Sequence, residues 1–273
     1  MIPADVKVAR DVEYASPTGR PQLLDLYWRP AGAPAPVIVW IHGGAWCGGD
    51  KADLHAARLL RDEGYAVASA NYRLSDEATF PAQLHDCRAA VRWLRRHATH
   101  YNLDGSRIGA WGPSAGGHLA ALLGTADGSL REGDYSAGGG PAAVQAVCDW
   151  FGPTDFLRLN DTPGMMDHDA ADSPESRLVG GPIRDHPDRV AAANPATYVT
   201  SDSAPFAIVH GAEDDLIPPA QSQILHDALT AAGVASELIV IEGAGHGFGL
   251  EHVHTAIAPA RSLFRQHLRP APH

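Results

Sequence analysis

The stretch "IGAWGPSAGGHLAALLG", residues 108–124, decides how the chain is read. It starts as an apolar run of β type, passes through small residues around Ser114, and continues as an apolar helix. A serine in front of an apolar helix is an ordinary N-cap, its hydroxyl accepting from the first turn. The same serine on a tight strand-to-helix turn is a candidate nucleophile. The local residues carry both readings, and segments elsewhere separate them.

Outward from this stretch, short β-type runs recur at 6–14, 23–28, 37–42, 65–72, 107–111, 144–151, 206–210 and 236–243. The middle ones are apolar throughout, as strands buried on both faces of a parallel sheet are. The first two alternate more, as antiparallel edge strands would. Helical patterns fall between them. In 81–98, Leu84, Cys87, Val91, Leu94 and Ala98 share one face, with Arg88, Arg92 and Arg95 outside it. Asp86 with Arg88 or Arg92 reads as an ordinary ion pair of that helix. Helices also fit 51–63, 115–125, 218–232 and 252–267. Strands alternating with helices predict an α/β fold: a mostly parallel eight-stranded sheet with helices on both faces. The 273 residues read as one domain, 1–273. Two irregular stretches, 127–143 and 152–203, read as loop or lid insertions.

Bulk properties exclude some function classes. The net charge of −11 is opposite to that of a nucleic-acid surface and gains nothing from anionic lipid. No apolar run reaches the roughly 20 residues that span a bilayer. The first 20 residues lack the apolar core of a signal peptide, and the three cysteines (Cys47, Cys87, Cys148) show no CxxC. A cytoplasmic protein with free thiols is the expectation. A homodimer is one expected assembly.

Ligands of open α/β sheets bind at the carboxyl ends of the strands. After the run ending at 41 comes "HGGAW" (42–46), whose glycines let adjacent N–H groups converge on one oxygen. After 107–111 comes Gly112-Pro113-Ser114-Ala115-Gly116, a G-x-S-x-G turn between strand and helix. After 206–210 comes "HGAEDDLIP" (210–218), where Glu213, Asp214 and Asp215 could each orient a histidine. After 236–242 comes "GAGHGFG" (243–249), with His246 between glycines. Nucleophile, acid and histidine follow in that chain order, all on one sheet edge. Four elements agreeing in position overturn the plain-cap reading. Gly44, Ala45 and Ala115 are then the expected oxyanion donors. Trp46 and Trp150, each following a central strand, are candidates to line the substrate pocket. His42 and His118 read as structural. "MMDHDAAD" (165–172) has acids too loosely spaced for a metal, so no metal and no cofactor are expected. Met165 and Met166 are candidates to touch substrate.

These motifs together resemble the α/β-hydrolase superfamily, in particular bacterial serine esterases of the feruloyl-esterase-like and acetylxylan-esterase-like group. "HGGAW" resembles the HGGG/HGGxW oxyanion motif, "GPSAGGHLAA" the nucleophile elbow, and "GAGHGF" the histidine loop. "HGAEDDLIP" resembles H-G-x-x-D-x-x-V-P, which implies Asp214 as the acid. The resemblance spans roughly 20–268. It implies a carboxylesterase with a Ser114–His246–Asp214 triad, acting on a small-molecule ester that is short-chain, aryl or carbohydrate-linked. The chain departs from HGGG at Ala45, whose N–H can still donate. HGGxW is shared with arylformamidases, so an arylformamidase-like amidase is the alternative. A non-catalytic binding protein of the same fold is a further reading, although such proteins usually lack a triad member.

Overall fold

The computed structural model describes residues 2–54 and 56–269. Among them, eight strands form one sheet: β1 (Lys7–Ala15), β2 (Gln22–Trp28), β3 (Ala35–Ile41), β4 (Ala66–Ala70), β5 (Leu103–Pro113), β6 (Ala146–Trp150), β7 (Phe206–Gly211) and β8 (Ser236–Ile241). Their spatial order is β1-β2-β4-β3-β5-β6-β7-β8. The β1–β2 and β2–β4 pairs are antiparallel, and every other pair is parallel. The eight expected strands and the antiparallel edge are all present.

The helices are α1 (Ala57–Asp62), α2 (Ala82–Arg96), α3 (Ala115–Thr125), α4 (Pro174–Val179), α5 (Pro187–Ala193), α6 (Ala220–Ala231) and α7 (Gly249–Leu268). The period-2 alternation of the strands feeds two separate cores. On β3, Val37, Val39 and Ile41 face α2, α3 and α6, whereas Ile38 and Trp40 face α1 and α7. Both faces of the central strands are therefore apolar, which is why they read as unbroken hydrophobic runs.

Three expectations need correction. The helix over 51–63 is only α1. The Asp50 carboxylate accepts from the Ala52 amide (2.8 Å), and the Asp53 carbonyl accepts from the Trp40 indole (2.7 Å). These bonds shape residues 50–53 as an anchoring loop. Asp86 does not pair along its own helix. It takes a bidentate contact from Arg73 and a hydrogen bond from Tyr135.

The third concerns 127–143, which is no lid. The segment leaves the C-terminal end of α3, remote from Ser114 at its N-terminus, and is stapled along α2. Arg88 donates to the carbonyls of Ala126 and Leu130, and Arg92 to the Gly140 carbonyl and to Asp134. Arg95 donates to the carbonyls of Gly105, Pro141 and Ala143. The arginines that lie outside the apolar face of α2 are thus covered by this segment.

The Asp134 side chain is fully buried beside Arg92. Truncating Arg92 would leave that buried carboxylate to the Ser136 amide and hydroxyl, with Arg88 4.0 Å away, and breaking a buried pair typically costs about 3 kcal/mol. Arg92→Met should therefore lower the urea midpoint clearly. An unchanged midpoint would show that the staple contributes nothing.

Candidate active site

The joint between β5 and α3 holds Ser114 at φ 54° and ψ −123°. Such a conformation costs a non-glycine residue about 1–3 kcal/mol and persists only where the surroundings enforce it. Here the Ser114 amide donates to the Trp150 carbonyl of β6 (2.8 Å), and the His118 amide closes the first helical turn on the Ser114 carbonyl (3.0 Å). A Cβ at position 112 would stand 2.5 Å from the Gly116 carbonyl carbon and 2.5 Å from the Ile41 oxygen, and one at 116 would collide with that same oxygen. This is the physical need behind the two glycines: α3 begins in contact with the end of β3. The Ser114 hydroxyl makes no capping bond to the helix.

Residues 42–46 lie against this joint. A Cβ on Gly43 would be 3.0 Å from the Pro113 carbonyl and 3.6 Å from the Ser114 Cβ. Gly44, Ala45 and Trp46 all have positive φ (108°, 54° and 55°). The loop closes through the Cys47 and Gly48 amides, which donate to the Gly44 carbonyl (2.9 and 3.0 Å). Among the described residues, no hydrogen bond uses the Gly44 or Ala45 N–H. Ala115 opens α3, where N–H groups have no helical acceptor. His42 stacks on Tyr72 at 4.3 Å, and its carbonyl accepts from the Tyr72 hydroxyl (3.0 Å), a supporting place.

Asp214 follows β7 and is 5% exposed, whereas Glu213 and Asp215 are exposed. Its Oδ2 accepts from His246 Nδ1 at 2.8 Å, and its Oδ1 from the Leu216 and Ile217 amides at 3.0 and 2.9 Å. A second histidine, His210, brings Nε2 to 3.2 Å from the same Oδ2 while donating to the Ile217 carbonyl at 2.8 Å. Burial alone would raise this carboxyl. The hydrogen bonds from His210 and His246, the His246 charge and the Ile217 amide outweigh it and hold Asp214 far below the usual carboxylate range. The acid is thus ionised and fully engaged.

The imidazole of His246 meets the edge of the Phe151 ring at 4.6 Å. Phe151 follows Trp150, whose carbonyl holds the Ser114 amide, so consecutive residues at the end of β6 touch the serine and the histidine. Among the described residues, neither Ser114 Oγ nor His246 Nε2 makes a hydrogen bond. The site therefore joins an unbonded hydroxyl on a strained turn, an imidazole oriented by a buried carboxylate, and unpaired backbone donors. That set is suited to acyl transfer.

The two tryptophans expected in the pocket are corrected. Trp46 is 2% exposed and donates through Nε1 to His118 Nδ1 (3.2 Å). Trp150 is 4% exposed and lies edge-on to Trp111 and Phe248 in the α7-side core. Strand alternation turns Trp150 away from the site. His118 in turn reaches the Ala193 carbonyl with Nε2 (2.7 Å), which fixes a neutral tautomer. Burial lowers its pKa to about 4.

The segment 152–203 does border the site. The Met165 amide donates to the Asp215 carbonyl (2.8 Å), and Met165 and Met166 are 70% and 37% exposed. Among the described residues, no three His, Cys, Asp or Glu side chains converge as metal ligands, and no helix is long and apolar enough to cross a membrane.

The family described as BD-FAE matches residues 24–229. The chain belongs to the BD-FAE family. Esterase LipQ of Mycobacterium tuberculosis is 35% identical over 252 residues, covering 88% of this chain and 57% of LipQ. A truncated carbohydrate esterase from gut microbiota superposes with a TM-score of 0.78 at 31% identity, covering 93% of this chain and 96% of that one. A bifunctional GH43-CE protein of Bacteroides eggerthii gives 0.79 at 34% identity, covering 93% of this chain and 38% of that one. The chain thus spans little more than half of LipQ. The sheet is that of an α/β-hydrolase, here in its BD-FAE form.

Sequence reasoning passed over three residues of this BD-FAE site. His210 was legible as the first residue of the acid motif. Phe151 and Asp149 stand in "DWFGPTDF" (149–156), which resembles the same esterases but marks neither residue's role. Asp149 is 1% exposed behind the elbow. Its Oδ1 accepts from the Gly152 amide (2.9 Å) and fills the space of a Cβ on Gly117. Burial raises its pKa to about 7 against that single hydrogen bond. The stability tied to its proton is complete below about pH 4 and is lost as pH rises through about 7. Asp149→Asn should gain melting temperature over the parent between pH 5 and pH 8. A constant offset across that range would refute the shift.

Proposed function

We propose that the chain is a serine carboxylesterase that hydrolyses short-chain, aryl or carbohydrate-linked esters through an acyl-enzyme. The observation that carries this is the 2.8 Å His246–Asp214 contact beside Ser114 held in a strained, unbonded turn. The names of LipQ and of the gut carbohydrate esterase support the ester class. No observation favours the formamidase or the binding-protein reading.

In this mechanism Ser114 Oγ attacks the ester carbonyl carbon as its proton passes to His246 Nε2. Asp214 holds the Nδ1–H tautomer and stabilises the imidazolium. The N–H groups of Gly44, Ala45 and Ala115 receive the oxyanion, and one such donor is typically worth about 3 kcal/mol. The bond to the leaving oxygen breaks, and His246 returns the proton to the departing alcohol. Water then attacks the acyl-enzyme carbonyl as His246 takes its proton, and His246 returns that proton to Ser114 Oγ as the carboxylic acid leaves. Ala45 in place of the third glycine keeps its N–H, at φ 54°. The segment bearing Met165 and Met166 forms the rim beside the acid loop, on which the alcohol or acyl part would rest.

Ser114→Ala should abolish turnover of phenyl acetate, and an organophosphonate should add its mass at Ser114 in the parent only. Parent turnover no higher than that of Ser114→Ala would sink the reading. Asp214→Asn should cost about 10³-fold or more in kcat, while the exposed neighbour Asp215→Asn stays within about threefold. Equal losses would refute the assignment of the acid.

A further inference from the structure

His168 belongs to "MMDHDAAD" (165–172), of which the proposed mechanism uses only Met165 and Met166. It is 3% exposed, and both ring nitrogens are engaged. Nδ1 is 3.0 Å from Glu175 Oε1 at the start of α4, and Nε2 is 2.9 Å from the Leu216 carbonyl of the acid loop. A carboxylate and a carbonyl both accept, so each nitrogen must donate, and only the imidazolium can do both. A neutral ring would turn a lone pair onto an acceptor in a place closed to water.

The Leu216 carbonyl and the Ile217 N–H belong to one planar peptide. That N–H donates to Asp214 Oδ1 at 2.9 Å. A hydrogen bond on the oxygen end orients and polarises the plane whose other end holds the acid. Three residues before His168, the Met165 amide holds the Asp215 carbonyl, so the same segment grips the loop twice.

We propose that His168 is a positioning residue: as an imidazolium bridging Glu175 and the Leu216 carbonyl, it clamps the peptide that holds Asp214 in register with His246. The kinetic part of this rests on the esterase reading above. The clamp itself does not.

The surroundings set its pH response. Burial favours the neutral ring, but the hydrogen bond and charge of Glu175, the Leu216 carbonyl and the charge of Asp167 outweigh it, and the net shift is upward. Asp169, on the same segment, is paired with Arg184. From the acid loop, the Leu216 carbonyl faces the ring, and the Asp214 carboxylate stands behind the peptide. The clamp is therefore complete below the ordinary histidine range and released as pH rises through the raised value. This gives the proposed esterase an alkaline limb that originates outside the triad.

The test uses the full chain in three forms: parent, His168→Gln and Glu175→Gln. Side-chain ¹⁵N NMR should find His168 of the parent doubly protonated at pH 6, with a midpoint that falls in Glu175→Gln. Hydrogen exchange of the peptide covering 214–217 should speed up in His168→Gln. With phenyl acetate, that variant should lose about tenfold in kcat with KM little changed, and its alkaline limb should vanish. A His168 ring that is neutral at pH 6 overturns the proposal without any variant. Unchanged exchange, or a kcat and pH profile like the parent's, overturns it as well. A parent with no turnover sinks the esterase reading alone, since the NMR and exchange results would still decide on the clamp.

Discussion

The first turn of α3 begins against the carbonyl of Ile41, with no room for a side-chain carbon between them. That contact fixes where the helix starts, and so where the chain must bend after β5. The bend forces Ser114 to a positive φ, and the strain is carried by bonds on both sides, one donated to the Trp150 carbonyl and one accepted from the His118 amide. The loop at 42–46 shares the same crowding, since it begins where β3 ends and leans on Pro113 and Ser114. Nucleophile and backbone donors are thus positioned by one close approach between a helix end and a strand end.

The acid is organised by a different principle. Asp214 sits where an unpaired carboxylate could not stay charged. It is kept ionised by two main-chain amides and two imidazoles rather than by a lysine or arginine. Backbone dipoles and imidazoles satisfy the oxygens without placing a lysine or arginine beside His246. Asp149, only one strand away, shows the contrast. With a single amide it is pushed toward the neutral acid. Two carboxyls at neighbouring strand ends differ in charge state because they differ in the number of donors.

Much of this was legible in the sequence. Eight strands, the antiparallel edge and the strand-end positions of the motifs all followed from hydrophobic runs and glycine spacing, because those patterns are set by backbone geometry. Among Glu213, Asp214 and Asp215 the residues alone left the choice open, because burial separates them and adjacent acids look alike in a string; only the resemblance to H-G-x-x-D-x-x-V-P pointed to Asp214. The inward turn of Trp150 is decided by strand parity, which can be counted only when the strand's first residue is known. The staple of 127–143 and the grip of His168 on Leu216 join residues some 40 to 50 positions apart through main-chain carbonyls. Carbonyls are present at every residue, so no composition marks those that receive such a bond.

Arg95 carries this furthest. Its guanidinium bridges the Gly105 carbonyl on β5 to those of Pro141 and Ala143, which lead into β6. It works as a tailor's notch, aligning two edges before the seam is closed. Gln145 repeats the alignment, its amide and side-chain oxygen pairing with the Ile108 carbonyl and amide. From there the two strands run in step to Pro113 and Trp150. A slip of one residue would reverse every side chain of β6, sending Asp149 toward α7 and Trp150 toward α3. The carbonyl that holds Ser114 would belong to a different residue. A single cation at the opposite edge of the sheet thus helps to choose which peptide the serine meets.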